Sequence, residues 1–423
     1  MTTMENEKRE ITRIALKYEK VQNLMKYVNE NTLKEMYKRQ PKNKAVGIDG
    51  MTKEMYGEHL EDNIDKLIHD MKQFSYRPYP VRKTYIPKGN GKLRGLGIPS
   101  FEDKMVQGVF KEILEAIYET KFLDSSFGFR PNRGCHDAIQ RINKHIMADK
   151  VNYIIDADIK GFFDNLDHEW LMKFLEHDIA DKNFLRYIKR FLIGGVMEDG
   201  KKLETDKGTV QGGLISPVLA NVYLHYVLDL WFEHMKKEFR GEMYLVRYAD
   251  DFVCMFQYEK EAQEFYKLLI ERLKKFNLEI AEDKSRILPF GRYKGTKESF
   301  DFLGFTHING KSHWGKYCVI HRTSKKKLKQ KREAAKQWLK EHMHESIPET
   351  IRKLNKKMIG HYRYYGIYGN FIGLNKFYKY VRQQLYFTKR RRDQSLWLTW
   401  KKLGQILKVY PIASPKIYIT SAY

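Results

Sequence analysis

The sequence predicts an α+β protein in which helices cover one face of an antiparallel sheet. Three observations carry that expectation. Tyr244-Leu-Val-Arg-Tyr248 and Phe252-Val-Cys-Met-Phe256 are apolar, β-branched or aromatic runs of strand length. Only a short acidic stretch ending in Asp250-Asp251 separates them, the pattern of a tight hairpin. Tyr153-Ile-Ile-Asp-Ala-Asp158 is another strand pattern that ends on a carboxylate. Phe265, Leu268, Leu269, Leu273 and Phe276 then recur at helical spacing, ahead of short strand patterns at 278–288 and 300–305.

In chain order, residues 11–37 read as one or two helices and 58–71 as another, with Gly47-Ile-Asp-Gly50 between them. Residues 82–99 read as a hairpin turning at Asn90-Gly91. Its arms carry Lys88, Lys92 and Arg94, which suit an ordinary solvated hairpin or a flap that grips a triphosphate. Helices are expected at 101–118 and 135–147, on either side of the Ser126–Arg133 loop, whose aromatics and arginines suit either a template strand or packing against the core. Four carboxylates, Asp156, Asp158, Asp164 and Asp167, crowd residues 156–168. Strand alternation puts Asp156 and Asp158 on one face and does not separate them. Asp167 sits where a helix N-cap belongs, just ahead of 168–175. Ser216-Pro217 reads as an N-cap followed by proline in the first position of a long apolar helix to about 232, and the glycine-bearing loop before it presents Gln211. Carboxylates that converge on a sheet surface are the hard oxygen ligands that Mg²⁺ takes, while a solvated surface turn would use the same residues.

The balance of charge narrows the partners. With 78 Lys+Arg against 53 Asp+Glu, the 423-residue chain carries +25 and is 14% aromatic, as expected of a protein that neutralises phosphates and stacks bases. No apolar run approaches a spanning helix and the first ten residues lack the core of a signal peptide, so a membrane role is not expected and a cytoplasmic place, in bacterial cytosol or nucleoid, is. Three cysteines, Cys135, Cys254 and Cys318, form no Cys-x-x-Cys pair, which speaks against a disulfide framework or structural zinc. Residues 322–392 hold 21 Lys+Arg and 4 Asp+Glu, so 17 of the 25 net charges lie there. Tyrosines interleave with those cations at helical spacing, which favours a three-helix module gripping a nucleic-acid backbone over a localisation signal.

These residues carry a resemblance. Gly47-Ile-Asp-Gly50, Ile86-Pro-Lys88 with Arg94, Phe127-Gly-Phe-Arg-Pro131, Asp158-Ile-Lys-Gly-Phe-Phe-Asp164, Val210-Gln-Gly-Gly-Leu-Ile-Ser-Pro217, Tyr248-Ala-Asp-Asp251, Phe302-Leu-Gly-Phe305 and Ile359-Gly-His-Tyr-Arg-Tyr-Tyr365 stand in the order of the group II intron-encoded reverse transcriptases, or maturases, which this sequence resembles over roughly residues 20–390. The resemblance implies a right-hand polymerase: an N-terminal helical extension (1–40), fingers (41–150), a ferredoxin-like catalytic palm (151–305), a basic helical thumb or domain X (306–393), and a short helix and tail (394–423).

It also implies roles. Asp158, Asp250 and Asp251 match catalytic, metal-binding carboxylates for two Mg²⁺ ions, with Mn²⁺ as a substitute. Lys88, Arg94 and Gln211 match contacts to the incoming dNTP; Phe163 matches the aromatic residue that excludes a ribose 2′-OH, and Lys284 a proton donor to pyrophosphate. Phe302, Leu303, Gly304 and Phe305 match the primer grip. Arg130, Lys325, Lys326, Lys327, Lys329, Lys331, Arg332, Arg363, Arg390, Arg391 and Arg392 are the expected RNA contacts. The implied partners are an RNA template, a DNA primer, dNTPs and a group II intron RNA, with a homodimer left open. Many relatives continue into a Cys/His endonuclease region that has no counterpart before Tyr423, so target-strand cleavage by this chain is not expected. Two other readings remain, a free-standing enzyme of repair or defence and a splicing cofactor that no longer polymerises.

Overall fold

A computed structural model describes residues 2–87, 93–198, 201–203, 207–209, 212–391 and 398–420. The strands are β1 (Val81–Pro87), β2 (Leu93–Ile98), β3 (Tyr153–Asp158), β4 (Val196–Glu198), β5 (Lys201–Leu203), β6 (Met243–Tyr248), β7 (Asp251–Phe256), β8 (Arg286–Pro289), β9 (Ser299–Phe302), β10 (Phe305–Lys311) and β11 (Tyr317–Thr323). Among the described residues they form three sheets, ordered β2-β1-β4-β5, β6-β7-β3-β8 and β11-β10-β9. The chain divides into two units, one of Met1–Ala138, Ala157–Cys254 and Lys260–Arg286, the other of Ile139–Asp156, Met255–Glu259 and Ile287–Tyr423.

The first unit is built around the helix Phe101–Tyr118. Met105, Val106, Val109, Phe110, Ile113, Leu114 and Ile117 spread over most of its circumference and leave a polar edge at Lys104, Lys111 and Glu112, so most of the helix has to be buried. Full burial of each such side chain contributes about 1.5–3 kcal/mol. The helices Thr3–Lys17 and Glu30–Arg39 pack on it, with Lys8 reaching Glu112 at 2.6 Å and Glu115 at 3.2 Å, and Phe110 stacks on Phe184 at 4.4 Å. β1 and β2 pair antiparallel with Ile86 opposite Arg94, which supports the hairpin over 82–99; its expected Asn90-Gly91 turn lies outside the described residues.

β7 is buried at every position after Asp251, as a central strand covered on both faces should be. Two expectations need correction here. The helix from Ser216 is not one α-helix to 232: Ser216–Leu224 passes through a π-helical turn at His225–Asp229 into Leu230–Met235, and Ile215, not Ser216, occupies the N-cap position. The strand expected over 278–288 shrinks to a single bridge, Ile280 to Ile159, and to β8, because Glu282-Asp283-Lys284 closes a turn on the Ala281 carbonyl.

In the second unit, the helices Lys325–Glu341, Ile347–Tyr365 and Phe371–Arg390 bury Leu339, Ile351, Leu354, Met358, Leu374, Val381 and Leu385. Lys389 is buried and donates to the carbonyls of His342, Met343 and Glu345, in the turn that follows Lys325–Glu341. The last helix, Trp400–Val409, is docked by Trp400 stacking on Tyr386 at 3.8 Å. The β10–β11 hairpin was not expected from the sequence. No helix of the described residues is long and apolar enough to cross a membrane.

Candidate active site and nucleic-acid interface

β6 ends at Tyr248 and β7 begins at Asp251, so the two turn residues are Ala249 and Asp250, one position earlier than an Asp250-Asp251 turn. Ala249 takes a left-handed backbone, φ +57°. Asp250 is therefore offered at the tip, while Asp251 is an exposed residue of the strand itself.

β3 lies beside β7. The Asn152 amide donates to the Phe256 carbonyl at 2.8 Å, so the start of β3 faces the end of β7 and the two run antiparallel. Continued without a bulge, that register brings Asp158 level with Asp250. Behind Asp158, its carbonyl accepts from the Ala281 amide at 2.8 Å and its amide donates to Ser285 Oγ at 3.3 Å. The turn 281–285 is thereby strapped to the end of β3, and it carries Lys284, whose Nζ stands 2.9 Å from Asp158 Oδ2. That hydrogen bond raises the Lys284 pKa above its ordinary value.

Among the described residues no group of three or more His, Cys, Asp and Glu is arranged to hold a metal ion. Mg²⁺ in phosphate-handling sites takes one or two carboxylates and completes its shell with phosphate and water. Asp158 with Asp250 and Asp251 fits that donor chemistry: ionisable oxygens at one end of a sheet, half or fully exposed to a ligand.

Phe163 follows on the short helix Phe162–Asn165 and packs edge-on against Phe162. Its carbonyl accepts from the Thr209 amide at 2.7 Å. Gly208, φ +88°, lies so close that a Cβ would stand 2.8 Å from the Asp164 carbonyl oxygen, so only glycine lets the 207–209 segment lie against Phe163 and Asp164. Asp167 caps Trp170, as expected. Lys88, Gln211 and Arg392 lie outside the described residues, and of Arg94 the backbone alone is described, in β2.

Leu303 and Gly304 join β9 to β10, both with positive φ, as two-residue hairpins prefer. Tyr364 donates to the Leu303 carbonyl at 2.9 Å and the Ser324 amide to Gly304 at 3.0 Å. Phe302 and Phe305 are buried, so their side chains anchor the turn and leave its tip as the surface available to a ligand. Lys325, Lys326, Lys327, Lys329, Lys331, Arg363 and Arg391 are exposed. Arg332 is half-buried over Tyr380, and Arg390 donates to the Tyr386 hydroxyl at 3.2 Å. Arg130 is a correction: it is buried, paired with Glu119 and donating to the Leu123 and Ser126 carbonyls, a clamp within its own loop and not a cation held out to RNA. Sequence reasoning also missed the buried contact of Arg247 with Asp229 and Asn221, whose Oδ1 atoms accept from Nε at 2.7 Å and Nη1 at 3.0 Å. The available signal was the presence of charged and amide side chains inside otherwise apolar strand and helix runs.

A family model described as reverse transcriptase (RNA-dependent DNA polymerase) matches residues 86–307. The chain is 37% identical over 247 residues to the group II intron-encoded protein LtrA of Lactococcus lactis, across 58% of this chain and 39% of that one. It is 31% identical over 309 residues to protein YkfC of Escherichia coli, across 65% and 78% respectively. An uncharacterized 91 kDa protein in the cob intron of Schizosaccharomyces pombe is 39% identical over 178 residues, across 42% and 22%.

Proposed function

We propose that this chain, which belongs to the reverse transcriptase (RNA-dependent DNA polymerase) family, extends a primer 3′-OH with dNTPs on an RNA template. The observation that carries the reading is that β3 and β7 are neighbouring antiparallel strands, so that the end of β3 carrying Asp158 and the start of β7 after Asp250 lie at the same end of the sheet. In the reaction the 3′ oxygen forms a bond to the α-phosphorus, the bond to the bridging oxygen of pyrophosphate breaks, and the 3′ proton leaves to solvent. Reverse transcriptases use divalent metal ions. Two Mg²⁺ ions, or Mn²⁺ in their place, would supply the charge that acidifies the 3′-OH and neutralises the leaving group.

The chain's own residues do the rest. Asp158, Asp250 and Asp251 would hold those ions. Lys284, poised on Asp158, offers a proton to the departing pyrophosphate. Phe163 is the side chain assigned to exclude an added 2′-OH, so dNTPs are chosen over rNTPs. Lys88, Arg94 and Gln211 hold the triphosphate and base, and the Leu303-Gly304 tip supports the primer. These assignments make 41–150 fingers, 151–305 palm and 306–393 thumb. The exposed cations from Lys325 to Lys331 with Arg363 and Arg391, and the half-buried Arg390 beside them, hold RNA by its phosphates.

The chain spans 39% of the length of LtrA, which is named as encoded by a group II intron. Binding of such an intron RNA, with support of its splicing and mobility, is the extension of this reading. Primer extension on an RNA template tests it. Extension with dNTPs and not rNTPs, lost in Asp250→Ala and relaxed toward rNTPs in Phe163→Ala, is the expected result. RNA binding without extension by the wild type would leave a splicing cofactor as the better description.

A further inference from the structure

Among the described residues of the first unit, the least solvent-accessible cation lies directly behind the hairpin that carries Asp250. Arg247, 0% exposed, precedes Tyr248 on β6. All five of its N–H bonds are satisfied. Nε and Nη2 grip the Asp229 carboxylate, with Nε to Oδ1 at 2.7 Å. The second Nη2 hydrogen goes to Ser126 Oγ at 2.8 Å, and Nη1 divides between Asn221 Oδ1 and the Ala249 carbonyl, both at 3.0 Å. That carbonyl belongs to the left-handed turn residue, and the peptide it forms leads straight into Asp250.

Each partner is itself held. Asn221 donates from Nδ2 to the Gly128 carbonyl at 2.7 Å. The Arg247 amide donates to Ser125 and its carbonyl accepts from the Phe127 amide, both at 2.8 Å. The 125–128 loop thus lies flat under the hairpin, so near that a Cβ on Gly128 would stand 2.3 Å from the Ala249 nitrogen. The next residue, Phe129, shares the left-handed backbone of Ala249, φ +59°, and non-glycine residues held there in numbers gather where geometry serves function.

The helical side is also specialised. Asn221 and Asp229 are eight residues apart, which on a regular α-helix leaves them roughly 80° out of phase. The π-helical turn His225–Asp229 takes up an extra residue in one turn and brings both side chains onto Arg247. A π turn at this point would be a needless irregularity if the helix served only to fill the core. A buried ion pair is likewise a poor device for stability, because apolar residues of like volume do as well or better. What the apolar replacement cannot do is hold the Ala249 carbonyl.

We propose that Arg247 is a positioning residue, which through Asp229 and Asn221 fixes the left-handed Ala249 and so sets the direction in which Asp250 leaves the hairpin. The proposal rests on the reading of Asp250 as a catalytic ligand, but its structural half stands apart from activity.

The test replaces the pair together, Arg247→Met with Asp229→Leu, in the full chain, so that no charge is left unpaired. Thermal melting establishes that the double variant folds. The expected result is a cooperative melt at a temperature lowered by the Ser126, Asn221 and Ala249 oxygens that lose their donor, a kcat for primer extension lowered by about 10²-fold with KM for dNTP unchanged, and faster amide hydrogen exchange at Asp250 and Asp251. A folded double variant with wild-type kcat and wild-type exchange overturns the proposal. Where the double variant does not fold, Arg247→Lys replaces it: the ammonium keeps its charge against Asp229 but cannot hold five bonds in a plane. The same loss of kcat and of exchange protection is expected there, and their retention overturns the proposal equally. Absence of extension by the wild type would refute the polymerase reading alone, because exchange at the turn still reports whether Arg247 holds it.

Discussion

Two ion pairs flank the hairpin tip, and they are opposite in kind. Arg247–Asp229 is fully buried on both sides, planar and bidentate, with every donor used. Lys284–Asp158 joins one ammonium to one carboxylate oxygen at 2.9 Å, with 62% and 36% of the two side chains exposed. A buried pair of that geometry cannot exchange partners without unfolding its surroundings. An exposed lysine with three rotatable donors is free to do so. The comparison teaches that charge at this end of the sheet is divided between a part that fixes backbone and a part left free to meet a ligand.

Breaking the buried member alone gives the largest effect. Arg247→Met strands the Asp229 carboxylate in the core and should cost about 3–5 kcal/mol in urea unfolding. Acid should act next, again through buried groups. Burial holds the pKa of His225, His321 and His361 at about 4 and pushes that of His307 well below its ordinary value. Between pH 6.5 and about 4 the unfolded chain binds protons at these imidazoles that the folded chain refuses, so their full contribution to stability is present above pH 6.5 and is lost as pH falls toward 4. Thermal melting at stepped pH should show the melting temperature dropping through that window, and a flat profile would contradict it.

Gly128→Ala sharpens the comparison from the loop side. The new methyl meets the Ala249 backbone, and a cost of about 1–3 kcal/mol is expected, with extension impaired beyond what the loss of stability explains. The exposed pair should give the smallest change in stability. Lys284→Met is expected within about 1 kcal/mol of wild type, because solvent screens the pair. Its effect should fall on the rate of extension instead, by about 10²-fold for a lost proton donor. Loss of stability without loss of rate would reverse the roles given to the two pairs.

What could be read in advance follows the same division. The β6–β7 hairpin, β3, the Asp167 cap and the three basic helices were legible, because their residues advertise alternation, helical spacing or capping without outside help. The β10–β11 hairpin was not. Its inward positions include His307 and His321, which stand opposite each other in the register and read as polar although both are buried. Arg130 was misread for the converse reason: an arginine in an aromatic loop looks like a nucleic-acid contact, and only the fold reveals Glu119 beside it. The side-chain partners of Arg247 are 18 to 121 residues away in sequence, which no local pattern announces.

The central claim is that Asp158 and Asp250, which the neighbouring strands β3 and β7 carry to one end of the sheet, act as one catalytic unit. It is tested most directly by single-turnover primer extension on an RNA template with Asp158→Ala, Asp250→Ala and the double variant, RNA binding being measured alongside. Carboxylates that serve one site lose nearly everything singly, so each single variant should be as inactive as the double while binding RNA normally. A single variant that extends the primer at the wild-type rate, or losses that simply multiply in the double variant, would contradict it.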